Sequence, residues 1–131
     1  MVHVDGGARG NPGPAAAAAV ATSADGDPLG ERKEYIGETT NNVAEYRALL
    51  LGLALARELG AEEVEVINDS ELVAYQIGGE YKVKNAGLKP LFAEAMAELR
   101  GFHRWAIRPV RREENARADE LVNEALDEAL A

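Results

Sequence analysis

An α/β fold, with a mixed sheet covered by helices, is what this sequence predicts, and two observations carry that prediction. Three strand-like segments joined by turn signals open the chain, and helix-like and strand-like segments alternate from there to its end. Strands linked by tight turns pair antiparallel and strands linked through helices pair parallel, so one sheet must accommodate both.

Met1 to Asp5 sets Val2 and Val4 on one face and His3 and Asp5 on the other, the two-residue alternation of a strand, before GGARGNPGP turns the chain. Ala15 to Thr22 holds five consecutive alanines, good helix formers, but glycine and proline before it and Asp25-Gly26 after it predict a hairpin strand. Leu29 to Gly37 is then the returning strand, and the small side chains of its partner would let a helix pack close to the sheet. Asn42 to Leu59 is the clearest helix, with Val43, Tyr46, Leu50, Leu53 and Ala54 recurring mostly at spacings of three and four, Glu45 in its first turn and Gly60 as a stop.

Glu63 to Ile67 is a short β-branched strand, after which Asn68-Asp69-Ser70 caps a helix running through Val73 and Ile77 to Gly78-Gly79. EYKVKNAG, from Glu80 to Gly87, is polar and loop-like. Leu88 to Leu99 is helical, its stripe formed by Leu91, Phe92, Ala95, Met96 and Leu99. Trp105 to Val110 alternates as a strand, with Trp105 expected in the core. Asn115 to Leu130 closes the chain as an amphipathic helix with Val122, Ala125, Leu126 and Ala129 inward. The order is βββαβααβα, without an internal repeat or a linker.

The 131 residues, 47% of them hydrophobic, are expected to form one domain over residues 1–131 with a sizeable core. No cysteine is present, so neither disulfides nor thiolate metal sites enter, which fits a reducing cytoplasm. The start lacks a signal-peptide profile, and no apolar run approaches the roughly 18 residues that a membrane helix needs. A soluble, cytoplasmic protein is expected, monomeric by default, with no membrane and no obligate protein partner. A net charge of −9 argues against non-specific binding to a polyanion. Yet six of the fourteen basic residues, Arg100, Arg104, Arg108, Arg111, Arg112 and Arg117, fall in one stretch of 18, and Lys82, Lys84 and Lys89 form a second cluster. These are either a local basic surface or merely solvated faces.

Four carboxylates, Asp5, Glu45, Asp69 and Asp119, stand in short polar settings at the edges of otherwise apolar elements. Carboxylates without histidine or cysteine suit magnesium, which takes hard oxygen ligands and keeps several waters. Each acid also has a structural reading. Glu45 follows Asn42 by three and can close a variant capping box, Asp69 can be a plain N-cap, and Asp119 can complement a helix dipole. Asp5, on a strand read as central, needs a partner or a shifted pKa. If the four converge, they repel one another unless divalent cations supply the counter-charge; if they do not, the capping readings hold.

Four stretches, DGGARGNPGP (Asp5 to Pro14), TTNNVAEYRALLLGL (Thr39 to Leu53), NDSELVAYQI (Asn68 to Ile77) and VRREENARADELVNEAL (Val110 to Leu126), together resemble the type 1 ribonuclease H family, in the family's order and over nearly the whole chain. The resemblance implies a ribonuclease H-like three-layer fold, a five-stranded mixed sheet flanked by helices. It further implies hydrolysis of the RNA strand of RNA–DNA hybrids to 5′-phosphate and 3′-hydroxyl ends. Asp5, Glu45, Asp69 and Asp119 match the family's metal-binding catalytic acids, implying Mg²⁺, or Mn²⁺ in its place, as two ions about 3.5–4 Å apart. Asn11, Asn41 and Asn42 match residues that contact the substrate backbone, where amides can meet a 2′-hydroxyl or phosphate; their alternative is turn and cap chemistry. Ser70 and Glu71 stand where the family often contacts the minor groove, although an acidic Glu71 replaces a common amide.

Two features depart from the family. Val110 to Ala118 has no histidine where many members carry one, His3 and His103 lie elsewhere, and Arg111, Arg112 or Arg117 are the candidates for part of that role. The basic, tryptophan-containing protrusion of longer members is reduced to Glu80 to Lys89, which predicts weaker hybrid binding with a shallower salt dependence. Two competing functions are a non-catalytic module of the same fold that binds nucleic acid or protein, and a nuclease acting on double-stranded RNA. Four mutually repelling acids disfavour the module.

Overall fold

The computed structural model describes residues 1–131. Strands β1 (Val2–Ala8), β2 (Gly13–Thr22) and β3 (Pro28–Thr39) are followed by helix α1 (Asn41–Glu58), strand β4 (Glu63–Asn68), helices α2 (Glu71–Ile77) and α3 (Lys89–Arg100), strand β5 (Arg104–Pro109) and helix α4 (Ala116–Leu130). A 3-10 turn over Arg112–Asn115 leads into α4. The strands form one sheet in the order β3-β2-β1-β4-β5. β1 to β3 pair antiparallel, and β1 with β4 and β4 with β5 pair parallel. The predicted order and the mixed sheet are both present, with β1 at the centre.

β2 explains the three layers. Ala17, Ala19 and Ala21 belong to the large core under α1 and α3, whereas Ala16, Ala18 and Val20 pack beneath α4 with Leu121, Val122, Ala125 and Leu126. A strand buried on both faces has no polar alternation, and this is why β2 reads as a run of small apolar residues. Trp105 packs against the large core, as expected for a strand residue there. No helix is long and apolar enough to cross a membrane.

Several boundaries move for identifiable reasons. β1 continues past Asp5 because Gly6, Gly7 and Ala8 pair with Ala17, Ala16 and Ala15. β3 reaches Thr39 because Glu38 and Thr39 pair with Pro14 and Gly13. α1 begins at Asn41, capped by Thr40, whose hydroxyl accepts from the Val43 N–H at 3.3 Å. Ala129, expected inward, is exposed in the last turn of α4.

Ion pairs tie α4 to the hairpin. Arg117 reaches Glu31 at 2.7 Å, Lys33 reaches Glu128 at 2.6 Å, and Arg9 reaches Asp127 at 2.7 Å. Each is exposed and screened by water, so it adds little by itself. On the other face α1 lies close against the strands at Gly52, where a Cβ would stand 2.5 Å from Val4 Cγ1 and 2.8 Å from Val2 Cγ1. Alanine is ordinarily better than glycine inside a helix by about 1 kcal/mol. Overpacking a closed core costs about 1–3 kcal/mol, and here it dominates because the branched side chains of β1 have no room to withdraw. Gly52→Ala is expected to lower stability by about 1–2 kcal/mol in urea unfolding; a gain would mean that α1 moves off the sheet without penalty.

Candidate metal centre

The parallel pairing of β1 with β4 places Val4 opposite Asn68, so the next residues, Asp5 and Asp69, leave the sheet side by side. Asn68, fully buried, fixes the turn that follows, its Oδ1 accepting from the Ser70 N–H. Glu45 arrives from α1 because Gly6 has no side chain. A Cβ there would lie 2.2 Å from the Ala44 carbonyl oxygen, and the Gly6 N–H instead donates to Glu45 Oε1 at 2.8 Å. One carboxylate oxygen from each of Asp5, Glu45 and Asp69 then lies within 4.8 Å of the others.

Asp119 stands apart from these three. It lines the same cleft, of about 420 Å³, together with Arg9, Asn41, Arg112 and Asn123, but its Oδ1 faces Arg112 at 3.5 Å. The 3-10 turn before its helix is clamped by Asn115, almost wholly buried, whose Nδ2 donates to the Val4 carbonyl at 2.7 Å. Asn115 and Asn68 were not singled out from the sequence. Their only signal is an amide at the junction of two elements, which turn chemistry explains equally well.

The capping alternatives for two acids fall away. Thr40, not Asn42, caps α1, and Glu45 lies beyond its first turn. Ser70 caps α2 through the Val73 N–H at 3.3 Å, so Asp69 is not the cap. Asp119 does lie in the first turn of α4, where the helix dipole favours it.

Burial is the first cause that raises the Asp5 pKa, with the neighbouring Glu45 and Asp69 charges adding to it. Glu45 is likewise raised by burial and then by Asp69, against the Gly6 hydrogen bond that lowers it. Glu45 Oε2 is buried and without a hydrogen-bond partner. Converging acids with an orphaned carboxylate oxygen fit a hard divalent cation, which replaces the lost hydration and favours the ionised forms.

The predicted substrate residues divide. Asn41 lines the cleft, its Oδ1 accepting from the Ala8 N–H at 2.8 Å, while Asn11 Oδ1 accepts from the Asn41 N–H at 3.1 Å. Both amides therefore perform turn chemistry while their NH₂ groups have no protein partner. Asn42, Ser70 and Glu71 are not part of the cleft lining, and the Ser70 hydroxyl is committed to its cap. Of the three candidate arginines only Arg112 lines the cleft; Arg117 is paired with Glu31, Glu120 and Glu124. Neither His3 nor His103 lines it.

Residues 3–125 match the family model described as reverse transcriptase-like. A ribonuclease H of Sulfurovum sp. is 36% identical over 137 residues, spanning 95% of this chain and 88% of that protein. The chain belongs to the ribonuclease H family. A ribonuclease HI of Halobacterium salinarum is 43% identical over 97% of the chain and 64% of its own length, and the crystal structure of RNase H1 from that organism superposes with a TM-score of 0.95, covering 97% of this chain and 96% of that one. LC11-RNase H1, solved in complex with an RNA/DNA hybrid, is 48% identical with a TM-score of 0.95, over 99% of this chain and 98% of that one. A bifunctional protein of Mycobacterium tuberculosis is 47% identical over 98% of this chain, which spans 36% of that relative's length.

In this ribonuclease H-family chain the raised carboxyl pKa values carry a sign. The folded state holds the Asp5 proton to higher pH than the unfolded chain does, so metal-free stability falls as pH rises from about 4 through the raised value. Asp5→Asn is expected to be more stable than the unchanged protein in chelator at pH 8, by about 2 kcal/mol, with the difference vanishing towards pH 4. Urea unfolding at the two pH values measures it, and an equal or lower stability at pH 8 would contradict this account of the burial.

Proposed function

We propose that residues 1–131 act as one ribonuclease H-like domain that hydrolyses the RNA strand of RNA–DNA hybrids, leaving 5′-phosphate and 3′-hydroxyl ends. The observation that carries the reading is the convergence of Asp5, Glu45 and Asp69, with Glu45 Oε2 left unpartnered, in a chain of this family. Asp5, Glu45, Asp69 and Asp119 are assigned to hold Mg²⁺, or Mn²⁺ in its place. When bound there, such ions would supply activation of water and stabilisation of the departing 3′ oxygen. The hybrid as substrate is supported by the relative solved with an RNA/DNA hybrid.

The chain's own groups have distinct tasks. The Gly6 N–H holds one oxygen of Glu45, leaving Oε2 as its ligand atom. The Asn41 NH₂ group, free of protein partners and on the cleft, is a donor for a 2′-hydroxyl or phosphate, the former distinguishing RNA from DNA. Arg9 is engaged by Asp127, so Arg112, 77% exposed and held only at 3.5 Å by Asp119, is the cation of the cleft able to turn to a phosphate. This assigns to Arg112 part of the work that a loop histidine does in other members.

Nine of the fourteen basic residues are in ion pairs, which leaves five, Lys82, Lys84, Lys89, Arg100 and Arg111, without a carboxylate partner. The basic stretch of the sequence is thus largely neutralised by its own protein. Hybrid binding is expected to be weak, these five and Arg112 giving a slope of log K against log salt no steeper than about −5.4; a steeper one would require the other ion pairs to open. A monomer in the cytoplasm, with no obligate protein partner, belongs to the same reading.

The test is cleavage of a labelled RNA–DNA hybrid in Mg²⁺ and in Mn²⁺, beside RNA and DNA duplexes. Asp69→Asn is expected to lower turnover on the order of a thousandfold, the scale of losing one preorganised electrostatic group. Arg112→Ala is expected to lower it about tenfold or more while Arg111→Ala and Arg117→Ala leave it unchanged. Binding of the hybrid without metal-dependent cleavage would favour a non-catalytic module, and preferential cleavage of RNA duplex would transfer the same chemistry to another substrate.

A further inference from the structure

A hydrogen bond deep in the core joins two residues that do not line the cleft. The Tyr46 hydroxyl donates to Gln76 Oε1 over 2.5 Å, with Tyr46 fully buried and Gln76 nearly so. As a way to fill a core this is poor, because an apolar pair of the same shape is commonly as stable or more so. What the polar pair adds is direction. A hydrogen bond fixes both a distance and an angle, whereas apolar contacts tolerate sliding.

The two partners stand where direction matters. Tyr46 follows Glu45 on α1, and Gln76 lies in the last turn of α2, which begins at Glu71, two residues after Asp69. α2 has seven residues, too few to be stable by itself, so its position comes from what it packs on. Its buried side chains are Val73, Ala74, Gln76 and Ile77, and Gln76 alone among them is polar. Its first turn is held locally, by the Ser70 cap and by Asn68. Neither of those contacts refers to α1. The Tyr46–Gln76 bond does, and so relates the helix that carries Glu45 to the segment that carries Asp69.

We propose that Tyr46 and Gln76 are a positioning pair that sets the separation of Glu45 from Asp69 and thereby the affinity of the cluster for divalent cations. The inference rests on the reading of Asp5, Glu45 and Asp69 as a metal site. Tyr46→Phe removes one atom and leaves Gln76 Oε1 unpaired in the core. Tyr46→Phe combined with Gln76→Met removes both polar partners and refills the space. A pair that merely stabilised the core would be restored by the double substitution in every respect. A positioning pair would regain stability without regaining the geometry of the site.

The experiment is calorimetric titration of the full chain and both variants with Mn²⁺, beside thermal unfolding in chelator. Tyr46→Phe is expected to bind Mn²⁺ about tenfold more weakly, the usual scale for losing an outer contact of a metal site, and to melt at a lower temperature. The double variant is expected to recover the melting temperature while its Mn²⁺ affinity stays about tenfold down. Unaltered Mn²⁺ affinity in either variant overturns the positioning role while leaving the site itself standing. Failure of the unchanged chain to bind Mn²⁺ overturns both.

Discussion

The structure depends first on how closely α1 approaches the sheet. Two glycines allow it at opposite ends of the contact: Gly6 on β1, beneath the Ala44 carbonyl, and Gly52 on α1, against Val2 and Val4. Between them β2 presents alanines to the same core. Small residues at these positions bring the helix backbone to the strand backbone, and the Gly6 N–H can then reach Glu45. A side chain on either glycine would separate the two layers and take Glu45 away from Asp5 and Asp69. The same tight packing that buries α1 is therefore what assembles the acid cluster.

That assembly stores electrostatic tension. Asp5 and Glu45 are both withdrawn from water and face a third acid, so the metal-free cluster holds protons that an isolated carboxyl would release. Elsewhere nine of the fourteen basic residues are in exposed ion pairs. Those pairs have a structural result in common: Arg117, Lys33 and Arg9 hold α4 against β3 and against the turn after β1. α4 carries Asp119, and its entry is clamped to β1 by Asn115. The fourth acid is thus delivered by a different layer of the fold from the first three. It remains at the wall of the cleft, paired with Arg112 rather than joined to the cluster.

Much of the fold was legible because its local signals agreed with its long-range ones. The turn residues around β2 outweighed the helix propensity of its five alanines, and pairing on both sides shows why. The roles of individual polar residues were less legible. A capping box from Asn42 to Glu45 was one reading, yet Thr40 caps α1; a plain N-cap was one reading of Asp69, yet Ser70 caps α2. Neighbouring Thr, Asn, Asp and Ser side chains offer nearly the same cap chemistry, and a shift of one or two residues decides between them. The arginine-rich stretch left a basic surface and merely solvated faces both open, and four of its six members have carboxylate partners on other elements.

Local patterns in the sequence by themselves determined the element order and the mixed sheet, and four motifs carried the resemblance to the family, since each is written in stretches of a few residues. Tertiary structure alone decided which acids meet, which arginine faces the cleft and which buried amides hold the loops. Those outcomes depend on register between β1 and β4, on the depth to which α1 sinks at Gly6, and on pairings as distant as Arg117 with Glu31. Register and approach are set by the packing of whole layers, so no window of sequence contains them.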